Sequence, residues 1–372
     1  MRFIIAPDKF KGSIDAVSLC AIIRQELLSI MPDTDVGSYP MADGGDGFEQ
    51  IIQYYFNTEA VTAVAKDPLG RSMTAAYQYA ISTNTAFIEM SAASGLALLR
   101  TGELDPMRSS TFGTGMLIRH AIEKGARKVI LGIGGSATND AGTGMAHALG
   151  YRFVDREGNS IEPCGGNLLQ IHQILSPEDD ITRGVDVTVA CDVKNPFFGP
   201  EGAAFIYGPQ KGASPEMVEQ LDLGLRHLDE LFRQTFGRSV ANTEGAGAAG
   251  GMGGGSLVFL KARLISGIGF IMGSIGLEEK IRQADVVITG EGCVDAQSFS
   301  GKVVGEILSI AKRHHKKVYI LCGTSTVAFD DWREKGIGQL SALTECAPTQ
   351  QDAIREPARY LPCAIRNLFT GG

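Results

Sequence analysis

Acids and lysines placed just past apolar runs carry the chemistry in this chain. Residues 289–302, TGEGCVDAQSFSGK, follow the run ADVVI and hold Glu291, Asp295, Ser298 and Lys302 among glycines and hydroxyls. A plain strand-to-helix connection needs about two to six residues, so a stretch of this length implies a working loop. Its tail, S-F-S-G-K, mimics the end of a P-loop but fails the pattern. Ala296 stands where the first glycine is required, and Val303 follows Lys302. Ser298, Ser300, Gly301 and Lys302 still open a predicted helix, where backbone N–H groups and the helix dipole favour an anion. Glu291, Asp295 and Gln297 add acceptors for a metal ion or a hydroxyl. Helix capping alone would account for one or two of these groups.

The stretch VILGIGGSATNDAGTGMAHALGYRFVD nearly satisfies a dinucleotide fingerprint. A predicted strand leads into Gly132-x-Gly134-x-x-Ala137, with Asp155 following 18 residues later. An NAD-dependent oxidoreductase is therefore a rival reading. Against it stand Thr138, Asn139 and Asp140 in the opening turns, with Gly142 and Gly144 close behind. Each interior glycine costs a helix roughly 1 kcal/mol relative to alanine. A longer polar loop with a late helix start fits better. Such a loop can cradle phosphates on the amides of Gly134 and Gly135 and offer Ser136, Asn139 and Asp140 to a ligand. Turn structure alone is the plainer reading.

Further along, ACDVKNPFFGPEGAAFIYGPQKGA puts Asp192 at the end of an apolar strand, where side chains of open α/β sheets reach the binding crevice. Lys211 sits in G-P-Q-K-G, a setting that alone would favour a solvated surface charge. In IIAPDKFKGS, Asp8, Lys9 and Lys11 suit a small anion such as a carboxylate. In PMADGGDGF, Asp43 and Asp46 suit a magnesium ion or a hydroxyl. Aspartate and glycine also simply make turns. The six histidines show no H-E-x-x-H spacing, and no G-x-S-x-G elbow is present.

The elements that must position these residues follow from periodicity. RFIIAP predicts a buried strand, and SIDAVSLCAIIRQELLSI a helix with Ser13 and Asp15 near its start. DVGSYP predicts a strand and EQIIQYYF a helix. From about residue 59, EAVTAVA, SMTAAYQYA and AFIEM predict an antiparallel meander. Strand–helix alternation then returns, with a long amphipathic helix in PEMVEQLDLGLRHLDELFRQTF and the glycine-dense GAGAAGGMGGG after it. The last third reads as GIGFIMG (strand), LEEKIRQ (helix), ADVVITG (strand), VVGEILSIAKRHH (helix) and KVYILCG (strand). Such alternation implies a parallel sheet with helices on its faces. The texture is α/β at both ends and mixed α+β in the middle.

Bulk properties narrow the classes. The 372 residues suit two domains or one large one, and 44% hydrophobic with 20% charged residues is an ordinary globular composition. A net charge of −8 argues against a nucleic-acid surface or a polybasic membrane patch. A negative chain that binds an anion needs local lysines, amide nests or a metal ion. The seven cysteines are scattered and never form C-x-x-C, so neither a disulfide framework nor a zinc site is predicted. The N-terminal apolar run is too short for a signal peptide, and a reduced, cytoplasmic protein is expected.

Seven of these stretches occur in one order: IIAPDKFKGS, PMADGGDGF, DPLGR, GIGGSATNDAGTGM, ACDVKNPFFGPEGAAFIYGPQKGA, GAGAAGGMGGG and ITGEGCVDAQSFSGK. In that order the sequence closely resembles the type I glycerate kinase family, from residue 4 to beyond 302. Cys293 and Val294 depart from the family pattern, and the last 50 residues match only loosely. The resemblance implies ATP-dependent phosphorylation of D-glycerate with magnesium, and bacterial members commonly form 2-phosphoglycerate. It also implies an α/β fold of two domains with the site in the cleft. One is a Rossmann- or flavodoxin-like parallel-sheet domain built from residues 1–65 and 262–372. The other is an inserted mixed domain over 66–261.

Phosphoryl transfer is mostly positioning and charge stabilisation, and the inventory suits it. The expected ATP-phosphate site is Gly134, Gly135, Ser136, Asn139 and Asp140, with Lys211, Ser298, Gly301 and Lys302. Asp192 is the first choice to accept the hydroxyl proton and Asp295 the second, while Glu291 and Asp295 would meet the metal. Asp8, Lys9 and Lys11 would face the glycerate carboxylate, with Asp43 or Asp46 near its hydroxyls or the magnesium. Rival functions are a kinase for a neighbouring hydroxy acid and a non-enzymatic sensor of a small phosphorylated acid.

Overall fold

Phe3, Ile4, Ile5 and Ala6 are wholly buried, as are Val287 and Ile288. Continuous apolar runs of this kind suit the central strands of a parallel sheet covered on both faces. A computed structural model describes residues 1–42, 48–299, 302–326 and 336–370 and bears this out. Asp43, Asp46, Ser300 and Gly301 lie outside the described residues.

The chain divides into two units, one comprising Met1–Tyr55 with Ser266–Gly372 and the other Phe56–Ile265. In the first, five parallel strands run in the order Ile337–Ala342, Lys317–Cys322, Val286–Thr289, Arg2–Ile5 and Asp35–Ser38. Numbered along the chain this is the flavodoxin-like order 2-1-3-4-5. The helix Ala16–Ile30 starts where the Asp15 carboxylate accepts from Ser18 N at 2.9 Å, and it buries Leu19, Ile23 and Leu27 against the sheet. Each of those side chains contributes roughly 1.5–3 kcal/mol by leaving water.

The second unit holds a six-stranded sheet in the order Arg263–Ile265, Asp186–Ala190, Lys128–Gly132, Thr85–Glu89, Ser72–Ala80 and Glu59–Lys66. The first four strands are parallel and the last two antiparallel. Glu59–Lys66 pairs with Ser72–Ala80 along its whole length, which is why it belongs to this unit rather than to the segment before it. The 22-residue helix Pro215–Phe236 is capped by Ser214 and buries Leu221, Leu225, Leu228 and Phe232.

Two expectations change. GIGFIMG forms a helix, Gly267–Ser274, and not a strand. Ser266 accepts from Gly269 N at 3.0 Å, and Ile268, Ile271 and Met272 are buried at helical spacing. Cys346 and Cys363 form a disulfide, although no cysteine pattern announces one. Packing of the helix Pro357–Thr370 beside the turn Leu343–Glu345 brings their Cα atoms to 6.1 Å. Among the described residues no helix is long and apolar enough to cross a membrane.

Candidate active site

In the first unit the neighbouring strands Arg2–Ile5 and Val286–Thr289 mark the point where the strand order reverses, and open α/β sheets bind ligands past the carboxyl ends of strands there. Two loops leave those ends. Asp8 N donates to Gly290 O at 2.9 Å, tying them together. Gly290 has to be glycine, because a Cβ there would overlap the Leu321 carbonyl oxygen. Between the loops is a crevice of about 670 Å³ lined by Asp8, Lys9, Lys11, Glu291, Asp295 and Lys302, with Cys293 and Thr324 beside them. The structure therefore gathers six expected site residues, from two distant parts of the chain, into one cavity.

Their charges are positioned by local bonds. Asp8 is buried, and its Oδ1 accepts from Lys9 N at 2.7 Å. Asp295 Oδ1 accepts from Gln297 N at 2.8 Å and Ser298 N at 3.1 Å, which closes the turn Ala296–Phe299. Ser298 is buried beneath that turn, with its Oγ accepting from Asp295 N at 3.0 Å. Lys302 occupies the N-cap of the helix Val303–Arg313 without a side-chain capping bond, and its Nζ lies 3.7 Å from Glu291 Oε2. Magnesium keeps several waters and takes one or two carboxylates plus substrate phosphates. Glu291 and Asp295 on one cavity fit that donor set. Among the described residues no three His, Cys, Asp or Glu side chains form a cage for an ion.

In the second unit the strand Lys128–Gly132 runs into a loop, and the next helix, Thr143–Ala148, starts late. The strand–turn–helix that a dinucleotide fingerprint requires is not formed at Gly132–Ala137. Asp140 is wholly buried, and its carboxylate accepts from Thr111 N (2.7 Å), Thr111 Oγ1 (2.8 Å), Gly142 N (3.2 Å) and Gly144 N (3.2 Å). Burial pushes its carboxyl up, and those donors pull it back. Lys211 is 1% exposed, where its sequence setting favours a surface charge. Its Nζ donates to Ser136 Oγ at 2.8 Å and to Thr138 O at 2.7 Å. Asn139 is also wholly buried. Gly134 and Gly135 are the exposed part of the loop, and Asp192 is exposed just past the strand Asp186–Ala190.

One acid beside this loop of the second unit is not evident from sequence. Glu89 closes the strand Thr85–Glu89 and stands in register with Gly132, which is itself in register with Ala190. A Cβ on Gly132 would overlap Glu89 Oε2, so the carboxylate sits over the root of the loop. The signal is the one that marks the other acids, a carboxylate at the end of an apolar run, but AFIEM reads equally well as one leg of a meander.

Comparisons with known proteins agree along the whole chain. The model of the Glycerate kinase family matches residues 3–370. Glycerate kinase of Bacillus subtilis (strain 168) is 38% identical over 369 residues, covering 99% of this chain and 97% of the relative. Glycerate 2-kinase of Escherichia coli (strain K12) is 39% identical over 369 residues, with the same coverage of 99% and 97%. A crystal structure from Salmonella typhimurium LT2, described as a glycerate kinase 2, superposes with a TM-score of 0.84 at 38% identity and 98% coverage of both chains. The chain belongs to the glycerate kinase family and is a phosphotransferase.

Proposed function

We propose that this protein transfers the γ-phosphoryl group of ATP to a hydroxyl of D-glycerate, giving ADP and 2-phosphoglycerate. One observation carries the reading. The crevice at the reversal of strand order combines lysines for an anionic substrate with carboxylates for a metal–nucleotide, in a chain similar end to end to a protein named glycerate 2-kinase. Lys9 and Lys11 hold the glycerate carboxylate, and Lys302 with the helix start beside it attracts a phosphate. The amides at Gly134 and Gly135 cradle further phosphate oxygens. Glu291 and Asp295 would hold magnesium, which when bound supplies charge neutralisation on phosphate oxygens.

Asp192 accepts the proton of the attacking hydroxyl as its oxygen bonds to the γ-phosphorus. The bond from that phosphorus to the β-phosphate oxygen breaks, and ADP leaves. An ATP-dependent reaction of this kind belongs in the cytoplasm. The test supplies the purified protein with MgATP and D-glycerate and couples the product to enolase without a phosphoglycerate mutase. Absorbance of phosphoenolpyruvate is the expected result. ADP release without that absorbance would move the phosphate to the 3-hydroxyl, and no ADP release would overturn the reading.

A further inference from the structure

Lys211 is buried beneath the loop that follows the strand Lys128–Gly132, and its ammonium donates to two acceptors on that loop, Ser136 Oγ and Thr138 O. A third acceptor, the Gly135 carbonyl, is engaged within the unit by Leu96 N at 2.9 Å. Gly134 and Gly135 are the exposed residues of this loop, and neither of their N–H groups meets an acceptor among the described residues. Amides without competing oxygens form a concavity that suits an anion. Asp140 does the converse work at the far end of the loop, gathering N–H groups onto a buried carboxylate. A methionine would fill the space of Lys211, but it would leave the Ser136 hydroxyl and the Thr138 carbonyl without this donor.

We propose that Lys211 is a positioning residue that holds this loop with its amides facing out, and that its positive charge, without touching the ligand, sets the loop's affinity for an anion. The anion is a nucleotide phosphate if the function proposed above is right, and the assignment of that ligand rests on that reading. Burial pulls the Lys211 ammonium down to about 7, with Asp140 acting in the opposite sense. The two groups it donates to, a hydroxyl and a carbonyl, do not titrate in this range. The ammonium is therefore lost as pH rises through about 7, and anion affinity falls with it.

Sulfate is the probe, because its charge is constant over this range. Titrated into the full-length protein, it is followed by the amide resonances of Gly134 and Gly135 at pH 6 and pH 8. The expected result is at least a fivefold weaker Kd at pH 8, and a Lys211→Met variant that binds weakly and equally at both values. An equal Kd at both values in the unsubstituted protein overturns the proposal, as does a folded variant that reproduces the pH dependence. Should the variant fail to fold, the pH dependence of the unsubstituted protein decides alone. A non-hydrolysable ATP analogue that leaves these amides unmoved, while sulfate shows the dependence, would remove the nucleotide reading and keep this one.

Discussion

Lys9, Lys11 and Lys302 line an open crevice in the first unit, whereas Lys211 and Asp140 in the second are enclosed and bond to a single loop and its surroundings. Exposed charge near a strand end is cheap to hold and available to a ligand. Buried charge costs several kcal/mol unless it is paired or hydrogen-bonded, so its partners show what it is for. In the function proposed above the crevice charges serve a bound molecule, whereas the hydrogen bonds of the loop charges are to the loop itself and its surroundings. Residues of one chemical type, set near glycines in the sequence, therefore do different work, and each substitution below should expose one kind of work.

The largest effect is expected at Asp192, the exposed acid assigned to proton transfer. Asp192→Asn should lower kcat by about 10²–10⁴-fold, the usual range for a general base, and leave the thermal midpoint unchanged. Turnover within about tenfold of normal would move the proton acceptor elsewhere, with Asp295 and Glu89 next in line. Asp140→Ala should act on the fold instead. It strands the N–H groups of Thr111, Gly142 and Gly144, each worth about 1–3 kcal/mol when left unsatisfied in the interior. Urea unfolding should register a loss of at least about 3 kcal/mol, the lower end for three such groups. A variant of normal stability would mean that Asp140 is not the loop's anchor.

Smaller, and opposite in sense to an ordinary surface lysine, is the pH effect at Lys211. Its folded pKa of about 7 lies below the ordinary 10.5. Between those values the unfolded chain holds a proton that the folded chain has shed. Stability from this group therefore rises as pH climbs from about 7 toward 10.5, by no more than about 1.4 kcal/mol per pH unit. Urea midpoints at pH 7 and pH 9 should show the rise in the unsubstituted protein and lose it in Lys211→Met. Equal slopes in the two proteins would contradict the buried ammonium.

Much of the first unit is legible in the sequence because its signals are local. The apolar runs RFII and VVIT mark central strands, and the acids and lysines behind them fall at strand ends by position alone. The late helix start near Thr143 follows from the glycines at 142 and 144. Other features depend on tertiary neighbours. Lys211 resembles a surface charge because nothing nearby in sequence shows that Ser136 and Thr138, more than 70 residues earlier, close over it. GIGFIMG resembles a strand because strand–helix alternation surrounds it, although Ile268, Ile271 and Met272 already keep helical spacing. The Cys346–Cys363 bond depends on the docking of one helix and has no sequence pattern. Glu89 is inconspicuous because its register with Gly132 arises only when the two strands pair.

If Lys9 and Lys11 hold the substrate acid in the crevice of the first unit, they should govern glycerate affinity and leave the nucleotide alone. Calorimetric titration of D-glycerate, and separately of a non-hydrolysable ATP analogue, into the unsubstituted protein and a Lys9→Met, Lys11→Met double variant tests this most directly. The expected result is at least a tenfold weaker Kd for D-glycerate and a nucleotide Kd within twofold of normal. Unchanged D-glycerate binding together with lost nucleotide binding would contradict it, and would assign Lys9 and Lys11 to the nucleotide.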